Sequence, residues 1–174
     1  MDANGDCPHS INNAGPRVLV ALDGSLASLA ALRYAVDEAR RREACLHAIR
    51  VLPGAGALPG LDDGDEFFSL LRKGAWISFR EALGYVPTDV EVSVLVARGE
   101  PGPALVDLAD REDDLLVLGR GDVGLLGRWR GTATSCYCVA HGRCPVLIVP
   151  LPAHLRSLYR SRVRRRDLDR LLHG

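Results

Sequence analysis

Residues 17–25 read RVLVALDGS, and how that stretch is understood decides the fold. From Val18 to Leu22 every residue is apolar, without the in-out alternation of a strand that faces water on one side. Such a run predicts a strand covered on both faces, bounded by Pro16 before it and by the polar turn Asp23-Gly24-Ser25 after it. Ser25 is also a helix N-cap candidate. The following LASLAALRYAVDEARRR places Leu29, Leu32, Ala35, Val36 and Ala39 on one stripe, with basic residues in its last turn, and predicts the first helix.

The rest of the chain repeats this alternation. LHAIRVL (46–52) predicts a second strand, PGAGALPGLDDGD (53–65) a loop, and EFFSLLRKGAWISFREAL (66–83) an amphipathic helix interrupted by Gly74. VEVSVLVA (90–97) is a third strand, and Gly99-Glu100-Pro101 turns into a helix over about 103–110. DDLLVLG (113–119) is a fourth strand. A glycine-rich segment and a helix over about 132–142 then lead to PVLIV (145–149), the fifth. Alternating helices and continuously apolar strands predict an α/β fold with a doubly wound parallel sheet. Ligands of such sheets sit at the carboxyl ends of the strands near the topological switch point, where the turn after strand one and the segment after strand four converge.

That second segment, LGRGDVGLLGRWRGTATS (118–135), interleaves five glycines with three arginines. Glycines let backbone N–H groups approach an anion, and a following helix start favours negative charge, so a phosphate is the natural ligand. Gly119-x-Gly121-x-x-Gly124 spells the dinucleotide fingerprint but follows the fourth strand instead of the first. No acid occurs between Gly124 and Asp167 to hold a ribose. No lysine follows Gly127 or Gly131, so the P-loop pattern fails as well.

The chain has 174 residues, 47% hydrophobic and 25% charged, which suits one globular domain with tails. No apolar run approaches the roughly 18 residues of a membrane span, and the first residues lack a secretory h-region, so the expected location is cytoplasmic. Five cysteines, an odd number, predict free thiols instead of a disulfide framework. Cys136 and Cys138 would point to different sides of a helix, which disfavours a metal site. The 22 basic residues balance 22 acids, but unevenly. Residues 151–174 carry seven arginines against Asp167 and Asp169, a balance of +5 that leaves −5 for residues 1–150. The expected organisation is a flexible tail over 1–15, an α/β domain over 16–151 and a basic amphipathic helix over 152–174. The apolar stripe of that helix, begun by Leu155, Leu158, Tyr159 and Val163, is expected to lie on the protein's own surface or a dimer mate; no clear nucleic-acid partner emerges.

Several of these segments, in this order, resemble the universal stress protein family over residues 16–151: VALDGS (20–25), ARGEPGPALVDLA (97–109), DDLLVLGRG (113–121) and RCPVLIVP (143–150). The resemblance implies a five-stranded Rossmann-like sheet of the adenine nucleotide alpha hydrolase kind, dimerised through the last strand. It also implies ATP, with Mg²⁺, as the cofactor. In ATP-binding members the loop after strand four has the form G-x2-G-x9-G-[S/T]. One alignment keeps that chemistry with Gly121, nine residues, then Gly131-Thr132, but leaves one residue instead of two between Gly119 and Gly121. A gapless alignment puts Asp122 at the second glycine and Thr132-Ala133 in place of Gly-Ser.

Under the first alignment the cofactor-binding residues are Gly119, Gly121, Arg128, Arg130, Gly131 and Thr132, with amides and guanidiniums on the phosphates; Asp23 accepts from the adenine amino group, and backbone near Leu46 meets the base edge. Under the second, a carboxylate faces the phosphates, and the alternative is a nucleotide-free dimeric interaction protein with a degenerate glycine loop. No Ser/His/Asp set or carboxylate pair converges in the pattern, so no catalytic residue is assigned; relatives suggest at most slow ATP hydrolysis or self-phosphorylation at Thr132.

Overall fold

The computed structural model describes residues 15–52, 65–120 and 125–153, with the backbone alone for 65–68 and 125–132. The N-terminal tail as far as residue 14, the basic segment over 154–174 and Gly121 lie outside the described residues.

Nine elements alternate along the described residues. They are β1 (Arg17–Ala21), α1 (Leu26–Arg42), β2 (Cys45–Leu52), α2 (Asp65–Leu83), β3 (Val92–Arg98), α3 (Pro101–Leu108), β4 (Leu115–Gly119), α4 (Leu125–His141) and β5 (Val146–Val149). The strands form one parallel sheet in the order β3-β2-β1-β4-β5. The chain steps outward from β1 to β3, then returns to β1's other side with β4, so the switch point lies between β1 and β4.

The run at 17–22 behaves as a strand covered on both faces should. Val18 and Val20 pack under α1 and α2 with Leu32, Val36, Leu46, Phe79 and Val117. Leu19 points the other way, into a second core with Ile49, Leu105, Leu116, Leu118 and Cys138 under α3 and α4. One apolar strand thus seeds two cores, which is why it carries no alternation.

The helix α1 is capped as the sequence predicts: the Ser25 hydroxyl accepts from the Ser28 N–H at 3.1 Å, and Arg40, Arg41 and Arg42 occupy its last turn. Two boundaries differ from expectation. α3 begins at Pro101, whose fixed φ and missing N–H suit a first helical position, so it starts two residues earlier than the pattern suggests. More consequentially, α4 begins at Leu125 and runs through Gly127 and Gly131, so half of the segment expected to be loop is helix. Two glycines cost a helix roughly 1 kcal/mol each relative to alanine, but they do not prohibit it.

Candidate functional site

The carboxyl edge of the sheet, at the β1/β4 switch point, receives two of the residues that the sequence points to, Asp23 and Gly119. β1 ends at Ala21 and delivers Asp23 to this edge; Gly24 follows at φ 81°, a left-handed conformation that glycine adopts without strain. The Asp23 carboxylate accepts the Ser25 N–H at 2.8 Å. Surrounding protein works against its charge, but the hydroxyl and amide of Ser25 and the hydroxyl of Ser28 more than offset this and hold its pKa below the usual carboxylate range. Asp23 is therefore an ionised acceptor at neutral pH. An ionised carboxylate has about four lone-pair sites, so these local donors leave room for an external one.

Gly119 ends β4 on the same edge, but the structure gives it a second occupation. A Cβ there would stand 2.4 Å from both the carbonyl carbon and oxygen of Ala27 and 2.7 Å from the amide nitrogen of Ser28. The close passage of α1 over β4 requires glycine at 119 whether or not a phosphate is near. Arg120 follows, exposed, its N–H donating to the Val149 carbonyl at 2.8 Å and so tying the exit of β4 to β5.

The early start of α4 corrects the expectation that amides from Gly121 to Thr132 form one anion cradle. In a helix that begins at Leu125, the N–H groups from residue 129 onward bond carbonyls four residues back, so those of Gly131 and Thr132 are engaged. Only the first-turn amides, at 125–128, lack partners of this kind, and Arg128 lies in that turn. The side chains of Arg128, Arg130 and Thr132 lie outside the described residues.

Leu46 does not join this edge. It is the second residue of β2, fully buried, with its amide bonded to the Glu91 carbonyl at 2.8 Å. Six residues separate it from Leu52 at the carboxyl end, about 20 Å at strand rise. The register shows what reaches the edge instead: Ala21 pairs with Ile49, and the Leu22 N–H donates to the Ile49 carbonyl at 2.7 Å, so the backbone of Arg50, Val51 and Leu52 runs beyond the end of β1. Counting from the first residue of each apolar run would have found it. Also on this edge, and missed, are Arg98 at the end of β3 and Gly99 at φ 123°, whose N–H donates to the Leu52 carbonyl at 2.9 Å.

Among the described residues, no group of cysteine, histidine and carboxylate side chains is arranged to hold a metal ion. Cys136 is exposed and Cys138 buried, and burial pushes the Cys138 thiol up to about 11, which keeps it protonated. A cavity of about 450 Å³, lined by Ile77, Arg80, Glu81, Gly84, Tyr85 and Val86, lies at the C-terminal end of α2, where the chain turns toward the start of β3 and away from the carboxyl edge.

Comparison with known proteins agrees with this architecture. The family model described as "Universal stress protein family" matches residues 16–150. A universal stress protein of Mycobacterium tuberculosis is 31% identical over 140 residues, which are 76% of this chain and 47% of that protein. One of Mycobacterium bovis is 34% identical over 136 residues, 75% of this chain and 44% of that protein. The chain thus spans about half the length of the curated relatives it matches. Among solved structures, UspA from Lactobacillus plantarum is 26% identical with a TM-score of 0.59, covering 79% of this chain and 99% of that one. A universal stress protein in complex with cAMP is 25% identical with a TM-score of 0.55, covering 80% of this chain and 100% of that one. With the fold, the motif order and the family model in agreement, this chain belongs to the universal stress protein family.

Proposed function

We propose that this chain is a stress-response binding module that holds an adenine nucleotide at the carboxyl edge, between β1 and β4. The observation that supports the reading is an ionised Asp23 just beyond the carboxyl end of β1, with α4 starting after the carboxyl end of neighbouring β4. Asp23 accepts from the adenine amino group, and the α4 start, with Arg120, Arg128 and Arg130, faces the phosphates. The base edge lies along the backbone of Arg50 to Leu52. The relative solved with cAMP, at a similar level of likeness along the whole domain, supports this ligand class. ATP with Mg²⁺ is the form proposed for this chain, bound in the cytoplasm.

We propose further that the chain works as a homodimer. β5 is an edge strand of the sheet, opposite β3, and is apolar throughout, and Ile148 on it and Val139 on α4 are 41% and 61% exposed. Natural sheets seldom leave such an edge open.

One observation favours the alternative, a dimeric interaction protein without nucleotide. Gly119 is explained by packing alone, and α4 absorbs the amides expected of a longer phosphate loop. The two readings separate on one measurement: the purified protein is denatured and the supernatant assayed for adenine nucleotide, then the refolded or nucleotide-free protein is exposed to ATP with Mg²⁺. Co-purified or rebound nucleotide supports the first reading; none in either arm supports the second.

A further inference from the structure

The amino edge of the sheet, opposite the carboxyl edge, holds a polar cluster under the α3/α4 face that nucleotide binding does not use. Alternation along β2 and its parallel register put His47 on the same face as Leu19 of β1 and Ser93 of β3. His47 is 4% exposed. Its Nδ1 meets the Ser93 hydroxyl, while its Nε2, also buried, has no hydrogen-bond partner among the described residues.

The charged groups around it are committed elsewhere. Arg17, at the start of β1, is 2% exposed and donates to Asp114 at 2.7 Å through Nε and at 2.5 Å through an Nη, with a further bond to Asp110 at 2.6 Å. Asp114, fully buried, also accepts the Arg111 N–H at 3.1 Å, so three donors already occupy its oxygens. Glu91 before β3 accepts from the Cys45 thiol at 3.2 Å on β2. Cys144 before β5 and Cys138 of α4 are buried thiols whose pKa values are raised chiefly by burial.

A neutral imidazole fits this site, with Nδ1–H donated to Ser93 and Nε2 left as a bare lone pair. An imidazolium does not. Its new N–H would find no acceptor in a closed interior, beside a guanidinium whose own carboxylates are already taken. We propose that His47 is an acid-sensitive latch of this domain: a proton added at Nε2 loosens the amino edge where β1, β2 and β3 meet, so the fold weakens as the medium turns acidic. Burial first, and the positive charge of Arg17 second, lower the pKa of His47, outweighing the opposite pull of Asp114 and Glu91. A histidine depressed in the folded state takes up protons preferentially on unfolding. Its contribution is therefore present above the unfolded value near 6.5 and is lost as the pH falls toward the folded one.

The test uses the full chain and two readouts. Ring resonances of the histidines are followed by NMR from about pH 8 to about pH 5, and thermal unfolding of wild type and His47→Gln is measured at about pH 7.5 and about pH 5.5. The expected result is a His47 ring in the Nδ1–H tautomer that takes up its proton at a pH below the 6.5 of a free imidazole. The wild-type melting midpoint should fall by about 3 °C or more between the two conditions, and the variant's by less than half as much. A His47 ring that titrates near 6.5, or equal pH dependence in wild type and variant, overturns the proposal. Should His47→Gln fail to fold, the wild-type ring titration decides alone.

Discussion

Gly119 and Ala27 are in contact across the crevice: a Cβ added at 119 would lie 2.4 Å from the Ala27 carbonyl. The neighbour is helix backbone, which cannot step aside as a flexible side chain could. Gly119→Ala should therefore destabilise the fold by about 3 kcal/mol through overpacking, seen in denaturant unfolding as a lower midpoint with an unchanged slope. A variant as stable as wild type would show that β4 and α1 are not packed as described.

Arg17 and Asp114 form the buried ion pair beneath α3. The bond to Asp114 raises the arginine's pKa against the opposing effect of burial, and Asp110 adds to it. Removing one partner leaves an uncompensated charge inside, so Arg17→Met should cost about 3–5 kcal/mol. The double variant Arg17→Met/Asp114→Leu should recover much of that loss, because neither charge then remains. A double-mutant cycle by chemical denaturation checks this, and additive losses would contradict it.

Asp23 and Asp110 both have pKa values lowered in the folded protein, Asp23 by the Ser25 and Ser28 groups against the effect of its surroundings and Asp110 by its bond to Arg17. For a depressed carboxylate the stabilisation is present above the unfolded pKa, near 3.9, and disappears as the pH falls through the folded value. Acid unfolding should therefore have a component below about pH 4 that Asp23→Ala and Asp110→Ala each diminish. Stability curves that keep the wild-type shape in both variants would count against these bonds.

The exposed β5 edge makes a prediction about assembly. Ile148→Arg places a charge on the strand edge, where it would be buried in a paired dimer but solvated in a monomer. Light scattering at high micromolar concentration should show a dimer for wild type and a monomer for the variant, with little change in monomer folding. A wild type that is monomeric at that concentration removes the basis for the homodimer.

The order and type of every element were legible because two-face burial leaves a strong mark. Val18 to Leu22 and Leu115 to Leu118 are apolar without alternation, and Leu46 to Leu52 is broken only by His47 and Arg50; a sheet covered on both sides buries such runs. What was not legible was position within an element. Leu46 and Leu52 look alike at the two ends of one strand, and only the pairing of Ala21 with Ile49 shows which of them reaches the carboxyl edge. The start of α4 was obscured for a related reason. Gly127 and Gly131 are poor helix formers in isolation, yet the helix incorporates both. The amino-edge cluster left no local signal at all, since Arg17 and Asp114 are 97 positions apart and each is ordinary in its own segment.

The site's base selectivity follows from Asp23. A carboxylate acceptor matches the adenine amino group and repels the guanine carbonyl, so wild type should prefer adenine nucleotides and Asp23→Ala should bind them more weakly and with less preference. Competition between adenosine and guanosine monophosphates measures this, and equal affinity for the two in both proteins would reject the role.

Isothermal titration of the nucleotide-free protein with ATP and Mg²⁺ tests the central claim most directly. The account predicts saturable binding of one nucleotide per chain with a Kd of about 1 mM or tighter, equivalent to about 4 kcal/mol, weakened when Arg128 and Arg130 are both replaced by alanine. No heat and no saturation up to millimolar ATP, from protein that also carries no nucleotide when purified, would contradict it.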